Sequence, residues 1–338
     1  MSSAFETLSR RLLPWLAPNL AQLETALRAG NLGHAWLISG PAGVGKVNLA
    51  LALAHRLFDD AAEPPGTLDA DAALAAMAAR HEPADRHPDL HWLYPEEDKE
   101  TISVDQVRDV IERFTLTAHG GGAKVALIEP AEALTAAAAN ALLKTLEEPT
   151  PRAYLLLTSH QPGRLPATVR SRCQQLALGL PSPATVAEWL AAPATTVETA
   201  QRSVGRSPLQ LAAAISGDTL SFFNKLEADI TELSEDKLDP QIVAQSWAKG
   251  DTELALSWLR RRIHEELRAR LGAPARSTSV TVPLATTLHN AWRALPARTL
   301  FEEYDRAEKL QNQLGSGLNI ELALVAMLNA LVVDRGRS

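Results

Sequence analysis

The segment Gly40-Pro-Ala-Gly-Val-Gly-Lys46 constrains this chain more than any other, because its three glycines leave the backbone free to curl its amides around an anion. It follows the apolar run His34 to Ser39 and precedes a helical pattern from Leu49 to Phe58. Strand, glycine loop and helix thus come in the order a phosphate cradle needs. Two further apolar runs, Lys124 to Glu129 and Tyr154 to Thr158, enclose a helix predicted over Thr135 to Leu146. Strands that alternate with helices imply a parallel sheet buried on both faces.

The loop is intact as far as its lysine and incomplete after it. Gly40, Gly43 and Gly45 let backbone amides converge on phosphate oxygens, and Lys46 can reach terminal phosphates. The next residue is Val47, where a Ser or Thr hydroxyl normally holds the magnesium ion that bridges the β- and γ-phosphates. A valine offers no oxygen. The strand Val125 to Ile128 ends in Glu129, standing where an Asp orients magnesium, and Pro130 follows with no carboxylate to polarise water. Two independent parts of a hydrolytic site are absent, so no hydrolysis is expected on this loop. Weak ATP or ADP binding stays open, as does the reading that the loop only closes a strand-to-helix turn.

At 338 residues the chain exceeds what one compact core usually holds. After Leu180, Pro181 and Pro183 mark a linker and the pattern turns almost wholly helical. Helices are predicted over Ala184 to Ala191, Pro208 to Ile215, Leu254 to Leu271 and Ile320 to Val333, with breaks at Asp239-Pro240, Gly272 to Pro274 and Gly315 to Gly317. In the first half, residues 16–30 read as an amphipathic helix closed by Gly30, and Ser103 as the N-cap of a helix reaching Phe114, before a break at Gly120-Gly121-Gly122. The acidic, proline-punctuated stretch 59–89 reads as a surface insertion with one helix over Ala70 to Ala79.

Lys and Arg number 33 against 40 Asp and Glu, a net charge of −7, so no global basic field recruits DNA or an anionic membrane. The helix Leu254 to Leu271 carries Arg260, Arg261, Arg262, Arg268 and Arg270 beside an apolar face of Leu256, Leu259, Ile263, Leu267 and Leu271. Glu253, Glu265 and Glu266 dilute that charge, which favours a solvated, internally paired surface over a DNA-binding one. No stretch reaches the roughly 18 apolar residues of a membrane span, and no membrane contact is expected. The lone Cys173 excludes an internal disulfide or a cysteine-based zinc site, and a cytoplasmic protein is expected. His81, His87 and His91 lie close in sequence, but Pro83 and Pro88 break any helical spacing, so no metal site is expected.

Ala139-Asn-Ala-Leu-Leu-Lys-Thr-Leu-Glu-Glu-Pro149, the strand Tyr154 to Thr158 and Leu165-Pro-Ala-Thr-Val-Arg-Ser-Arg-Cys173 follow the glycine loop in that order. Together they closely resemble bacterial clamp-loader subunits of the AAA+ class. Within that class the degenerate loop resembles the delta-prime branch of the DNA polymerase III holoenzyme more than its ATP-hydrolysing gamma/tau motor. Pro14-Trp15-Leu16, His87-Pro88-Asp89 and Arg206-Ser-Pro208 add to the likeness. The resemblance implies an α/β plus all-α fold: a RecA-like parallel-sheet domain over 1–179, a helical lid over 180–220 and a helical collar over 221–338. It implies gamma/tau and delta subunits as partners, with the sliding clamp and primed DNA met through the complex.

The same resemblance assigns roles. Arg172 of Ser-Arg-Cys would lie at a subunit boundary and act in trans on the nucleotide of a neighbouring motor subunit, where a guanidinium neutralises charge developing on the γ-phosphoryl group. By its residue type alone Arg172 pairs with an acidic neighbour, and Cys173 is a small packed residue rather than a nucleophile. Thr158 keeps the polar residue that family members use to sense the γ-phosphate. Lys144 and Thr145 would face a neighbour or DNA, or simply solvent. Two departures stand out. The four-cysteine zinc module of many relatives has no counterpart between Phe58 and Leu90, so no zinc is expected, and Ser207-Pro208 replaces a sensing arginine, with Arg206 placed too early. The rival readings are a gamma/tau-like subunit that turns over Mg-ATP with Gly40 to Lys46 and Glu129, and a DNA-binding module acting without nucleotide.

Overall fold

The computed structural model describes residues 3–59, 61–81, 87–115, 122–217, 219–271, 286–314 and 319–332. The chain divides into two compact units, one of Met1–Pro193 with Arg206–Ala212 and one of Ala194–Gly205 with Ala213–Ser338. The predicted breaks at Gly272 to Pro274 and Gly315 to Gly317, and Gly120 and Gly121 of the third, lie outside the described residues.

Seven strands are described: β1 (Arg11–Leu12), β2 (Ala35–Ser39), β3 (Gly66–Thr67), β4 (Leu90–Leu93), β5 (Lys124–Ile128), β6 (Ala153–Ser159) and β7 (Gln174–Ala177). Five of them form one sheet in the order β4-β5-β6-β2-β7, every pair parallel. Alternate residues serve opposite faces, as strand geometry requires. Trp36, Ile38, Val125, Leu127 and Leu156 join the helices Ala17–Arg28 and Lys46–Phe58 in one core cluster. Ala35, Leu37, Ala126, Ile128, Leu155 and Leu157 join the helices Val104–Thr115 and Ala136–Glu147 in the other. β2 therefore sits inside the sheet with the glycine loop at its C-terminal end.

The predicted Ser103 cap forms for the expected reason, and Thr135, read as the first helical residue, is instead the cap of its helix. The Thr135 side chain accepts from Ala138 N–H at 3.2 Å, and Ser103 and Gln106 exchange side-chain bonds to each other's backbone amides. Four short strands escaped periodicity: β1 and β3 have two residues each, β4 has only four, and β7 shows a single buried position. The stretch after Asp59 differs from its reading as a surface insertion. Leu68 and Ala73 are fully buried in the first core, and β3 pairs with β1, so this stretch closes over the N-terminal helix Ala4–Arg10. Its predicted helix is present as Ala70–Ala78, capped by Asp69, and residues 82–86 lie outside the described set.

The second unit is helical. Thr252–Arg270 packs along Ala297–Asn312, and Pro240–Lys249 along Ile320–Leu331, around the buried indoles of Trp247, Trp258 and Trp292. Leu256, Leu259, Ile263 and Leu267 are inside as expected, whereas Leu271 is 65% exposed. The arginines of this helix are not all solvated. Arg262 is 1% exposed, lies over the Trp258 ring and pairs with Glu227 and Glu265, while Glu266 is wholly buried against Arg270 and His289. A helix boxed in by others turns part of its polar side inward, and each inward charge finds its opposite.

Candidate functional site

The glycine loop turns sharply from β2 into the helix Lys46–Phe58. Gly43 and Gly45 hold φ of 70° and 99°, a left-handed region that side chains resist, and Gly45 caps the helix Lys46–Phe58. The protein itself packs against this loop. A Cβ on Gly43 would collide with the Ser207 hydroxyl, and one on Gly45 would come within 2.5 Å of Leu13 Cδ1. Trp15 Nε1 donates to Val44 O at 2.9 Å, and Leu209 N–H donates to Gly43 O at 3.3 Å.

Lys46 is turned back onto its own loop, where Nζ donates to Gly40 O at 2.9 Å and to Pro41 O at 2.8 Å. It is 9% exposed, and burial pulls its pKa down to about 8 against the opposing pull of Glu132 and Glu129. Val47 is buried among leucines and contributes packing only. Asn48, fully buried, was not foreseen as a functional position. Its Oδ1 accepts from Leu13 N–H, and its Nδ2 donates to Leu8 O and Arg11 O, so the residue fastens the N-terminal segment over the loop. A polar side chain inside the run Val47-Asn-Leu-Ala-Leu-Ala was the available signal.

Glu129 sits beyond the end of β5 with both oxygens engaged. Oε1 accepts from Arg80 Nε at 3.0 Å, and Oε2 meets Trp92 Nε1 and His81 Nε2, each at 3.2 Å. Burial pushes this carboxyl up, but the His81 hydrogen bond and the Arg80 charge outweigh it, and its pKa lies below the usual glutamate value. Thr158 is 1% exposed, and its hydroxyl donates to Ile128 O at 3.4 Å within the sheet. Glu132 is a second acid near the loop that sequence reading passed over. It accepts from the backbone N–H groups of His160 and Gln161 at 3.0 and 3.1 Å. The residues expected to hold a nucleotide thus share one end of the sheet, with Lys46, Glu129 and Thr158 each bonded to protein groups.

The Ser-Arg-Cys segment forms a separate constellation beside the last helix turn of Ala136–Glu147. The Ser171 hydroxyl and Arg172 Nη1 both donate to Thr168 O, at 3.2 and 2.9 Å. Arg172 Nε and Nη2 lie 2.7 and 2.5 Å from Glu147 Oε1, and the arginine side chain is 34% exposed. Cys173 is 7% exposed, and burial lifts its thiol to about 11, so it packs and stays protonated. On the neighbouring helix Leu142 and Leu146 are buried as expected and Lys144 is exposed. Thr145 is 9% exposed, so neither solvent nor a partner is its surrounding.

The fold is thus α/β plus all-α: a parallel five-stranded sheet with a glycine loop after its inner strand, joined in one chain to a helical unit. The family models for the DNA polymerase III delta subunit and for its C-terminal region match residues 17–181 and 220–332. A DNA polymerase III subunit delta' of Pseudomonas aeruginosa is 41% identical over 234 residues, 67% of this chain and 69% of that one. Its Escherichia coli counterpart is 34% identical over 280 residues, 81% of each chain. A DNA polymerase III subunit tau of Salmonella typhimurium is 34% identical over 162 residues, 47% of this chain and 24% of its own length. The chain belongs to the DNA polymerase III delta' subunit family.

Proposed function

We propose that this chain works as the non-hydrolysing member of a clamp-loading ring and lends Arg172 to the nucleotide site of an adjacent ATPase subunit. The observation that carries the reading is the state of Arg172: part exposed, fixed at the surface by Glu147 and Thr168, and carrying a permanent positive charge. Its own loop supports the same division of labour. Val47 and Pro130 provide no side-chain oxygen for metal or water, Thr158 is spent on Ile128, and Glu129 is held by Arg80, His81 and Trp92. Gly40, Gly43, Gly45 and Lys46 then serve as a packed turn, with weak ATP or ADP binding as the most they retain. The partners in this reading are gamma/tau and delta subunits, with the sliding clamp and primed DNA reached through the ring. The lid over 180–220 and collar over 221–338 are its assembly parts, in the cytoplasm and without zinc. Among the described residues no helix is long and apolar enough to cross a membrane.

The test is reconstitution. With motor subunits and primed DNA, Arg172→Ala is expected to fold and assemble normally while the DNA-stimulated ATPase of the ring falls, since an arginine finger is worth about 10³-fold or more at the site it serves. An unchanged rate defeats the assignment. Steady-state hydrolysis by the isolated chain, abolished by Lys46→Ala, favours a motor subunit instead, and salt-sensitive DNA binding by the isolated chain favours a DNA-binding module.

A further inference from the structure

We infer that Glu147 is the positioning residue for the Arg172 guanidinium, holding its Nε/Nη2 edge so that a donor on each terminal nitrogen is presented outward. The inference rests on the proposed role of Arg172 and adds a residue to it. A guanidinium carries five N–H groups in one plane: one on Nε and two on each terminal nitrogen. The Nε and Nη2 atoms face Glu147 Oε1 at 2.7 and 2.5 Å, which occupies the side-on edge. One Nη1 hydrogen goes to Thr168 O at 2.9 Å. That leaves one hydrogen on Nη1 and one on Nη2, a donor on each terminal nitrogen for the oxygens of a phosphoryl group.

The position of Glu147 is difficult to explain as helix chemistry. It is the last residue of Ala136–Glu147, where the macrodipole is negative and a carboxylate is disfavoured. Arg172 supplies the compensating charge from 25 residues away in sequence. Each of the two anchors is itself fixed. Glu147 ends a helix pinned by buried Leu142 and Leu146, and the Thr168 carbonyl belongs to a turn that the Ser171 hydroxyl also closes. A long, flexible side chain is thereby restricted before any nucleotide approaches, which lowers the entropic cost of presenting it.

The experiment uses a reconstituted ring in which the motor subunit next to this chain is the only one with an intact phosphate-loop lysine. In it, Glu147→Ala is expected to lower kcat of the DNA-stimulated ATPase about tenfold with KM for ATP within about twofold, because misplacing a reacting group acts on the transition state. Glu147→Gln, which keeps an oxygen acceptor for Nε and Nη2, is expected to stay within about threefold of the parent. Arg172→Ala with Glu147→Ala is expected to equal Arg172→Ala alone. The Glu147 side chain is 50% exposed, so melting temperature and ring assembly should not move, and a variant that fails to assemble is replaced by Glu147→Ser for the same readings. A full rate in Glu147→Ala, a loss in Glu147→Gln as deep as in Glu147→Ala, or a further loss on top of Arg172→Ala each overturns this inference with the finger left standing. A full rate in Arg172→Ala removes the finger reading itself.

Discussion

The Asn48 side chain bridges 35 residues to accept the Leu13 N–H at 2.9 Å, two positions after the lysine of the glycine loop. It also donates to Leu8 O at 2.7 Å and Arg11 O at 2.8 Å, and none of the asparagine is exposed. One buried amide thus satisfies three backbone groups at the end of the N-terminal helix, two of them in fully buried contacts.

Removing it should be costly. Asn48→Ala strands buried polar groups at about 1–3 kcal/mol each, so a loss of at least about 2 kcal/mol is expected. Urea unfolding of the first unit's signal measures it, and a loss below about 0.5 kcal/mol would contradict this account.

Gly43 and Gly163 offer a matched pair. An alanine at Gly43 meets both a φ of 70° and the Ser207 hydroxyl, whereas the ideal Cβ at Gly163 has nothing within 4 Å. Gly43→Ala should therefore destabilise by about 1–3 kcal/mol and Gly163→Ala by less than about 0.5 kcal/mol. Combining Gly43→Ala with Ser207→Ala should recover the steric part and leave the strain of the backbone. Thermal melts of the three variants decide it, and equal melting for both single variants would argue against a packed loop.

Glu129 makes stability depend on acid. Its folded pKa lies below the ordinary value of 4.5, so its stabilisation is present above that value and is lost as pH falls through the folded one. Glu129→Gln should cost about 1–3 kcal/mol at pH 7, because a part-buried charge-assisted pair with Arg80 becomes a neutral contact. The gap between parent and variant should then narrow as pH drops below 4.5. A gap that holds constant down to acid unfolding would mean that the carboxylate charge contributes nothing.

Cys173 should be nearly inert. With its thiol lifted to about 11, the thiolate fraction at pH 8 is smaller than that of a free cysteine by a factor of about 10². Alkylation by iodoacetamide should be slower by at least that factor in the folded protein and return to the ordinary rate in urea. Fast labelling of the folded chain would place the thiol in contact with solvent or a base.

Much of the fold was legible locally. The run before Gly40, the runs ending at Glu129 and Thr158, and the helices capped by Ser103 and Thr135 all stand close to where periodicity places them, because each face they bury is set by neighbours a few residues away. β4 and β7 were missed since four residues carry too few periods, and both are strands because the sheet had an edge to extend. The site divides the same way. The absence of a side-chain oxygen at Val47 and Pro130 is a property of composition that no folding can change. Which charges point inward is another matter.

The amino-acid order alone settled the strand-loop-helix unit, the parallel sheet and the missing ligands, for these depend on side-chain type and short-range spacing. Only the folded chain brought Glu147 to Arg172, Asn48 to Leu13, and Arg80, His81 and Trp92 to Glu129. It also drew Arg262 and Glu266 out of water. Apart from the surface pair of Glu147 and Arg172, these partnerships lie in or against packed cores, where burial makes an unmatched polar group costly and so selects a partner that local periodicity cannot name.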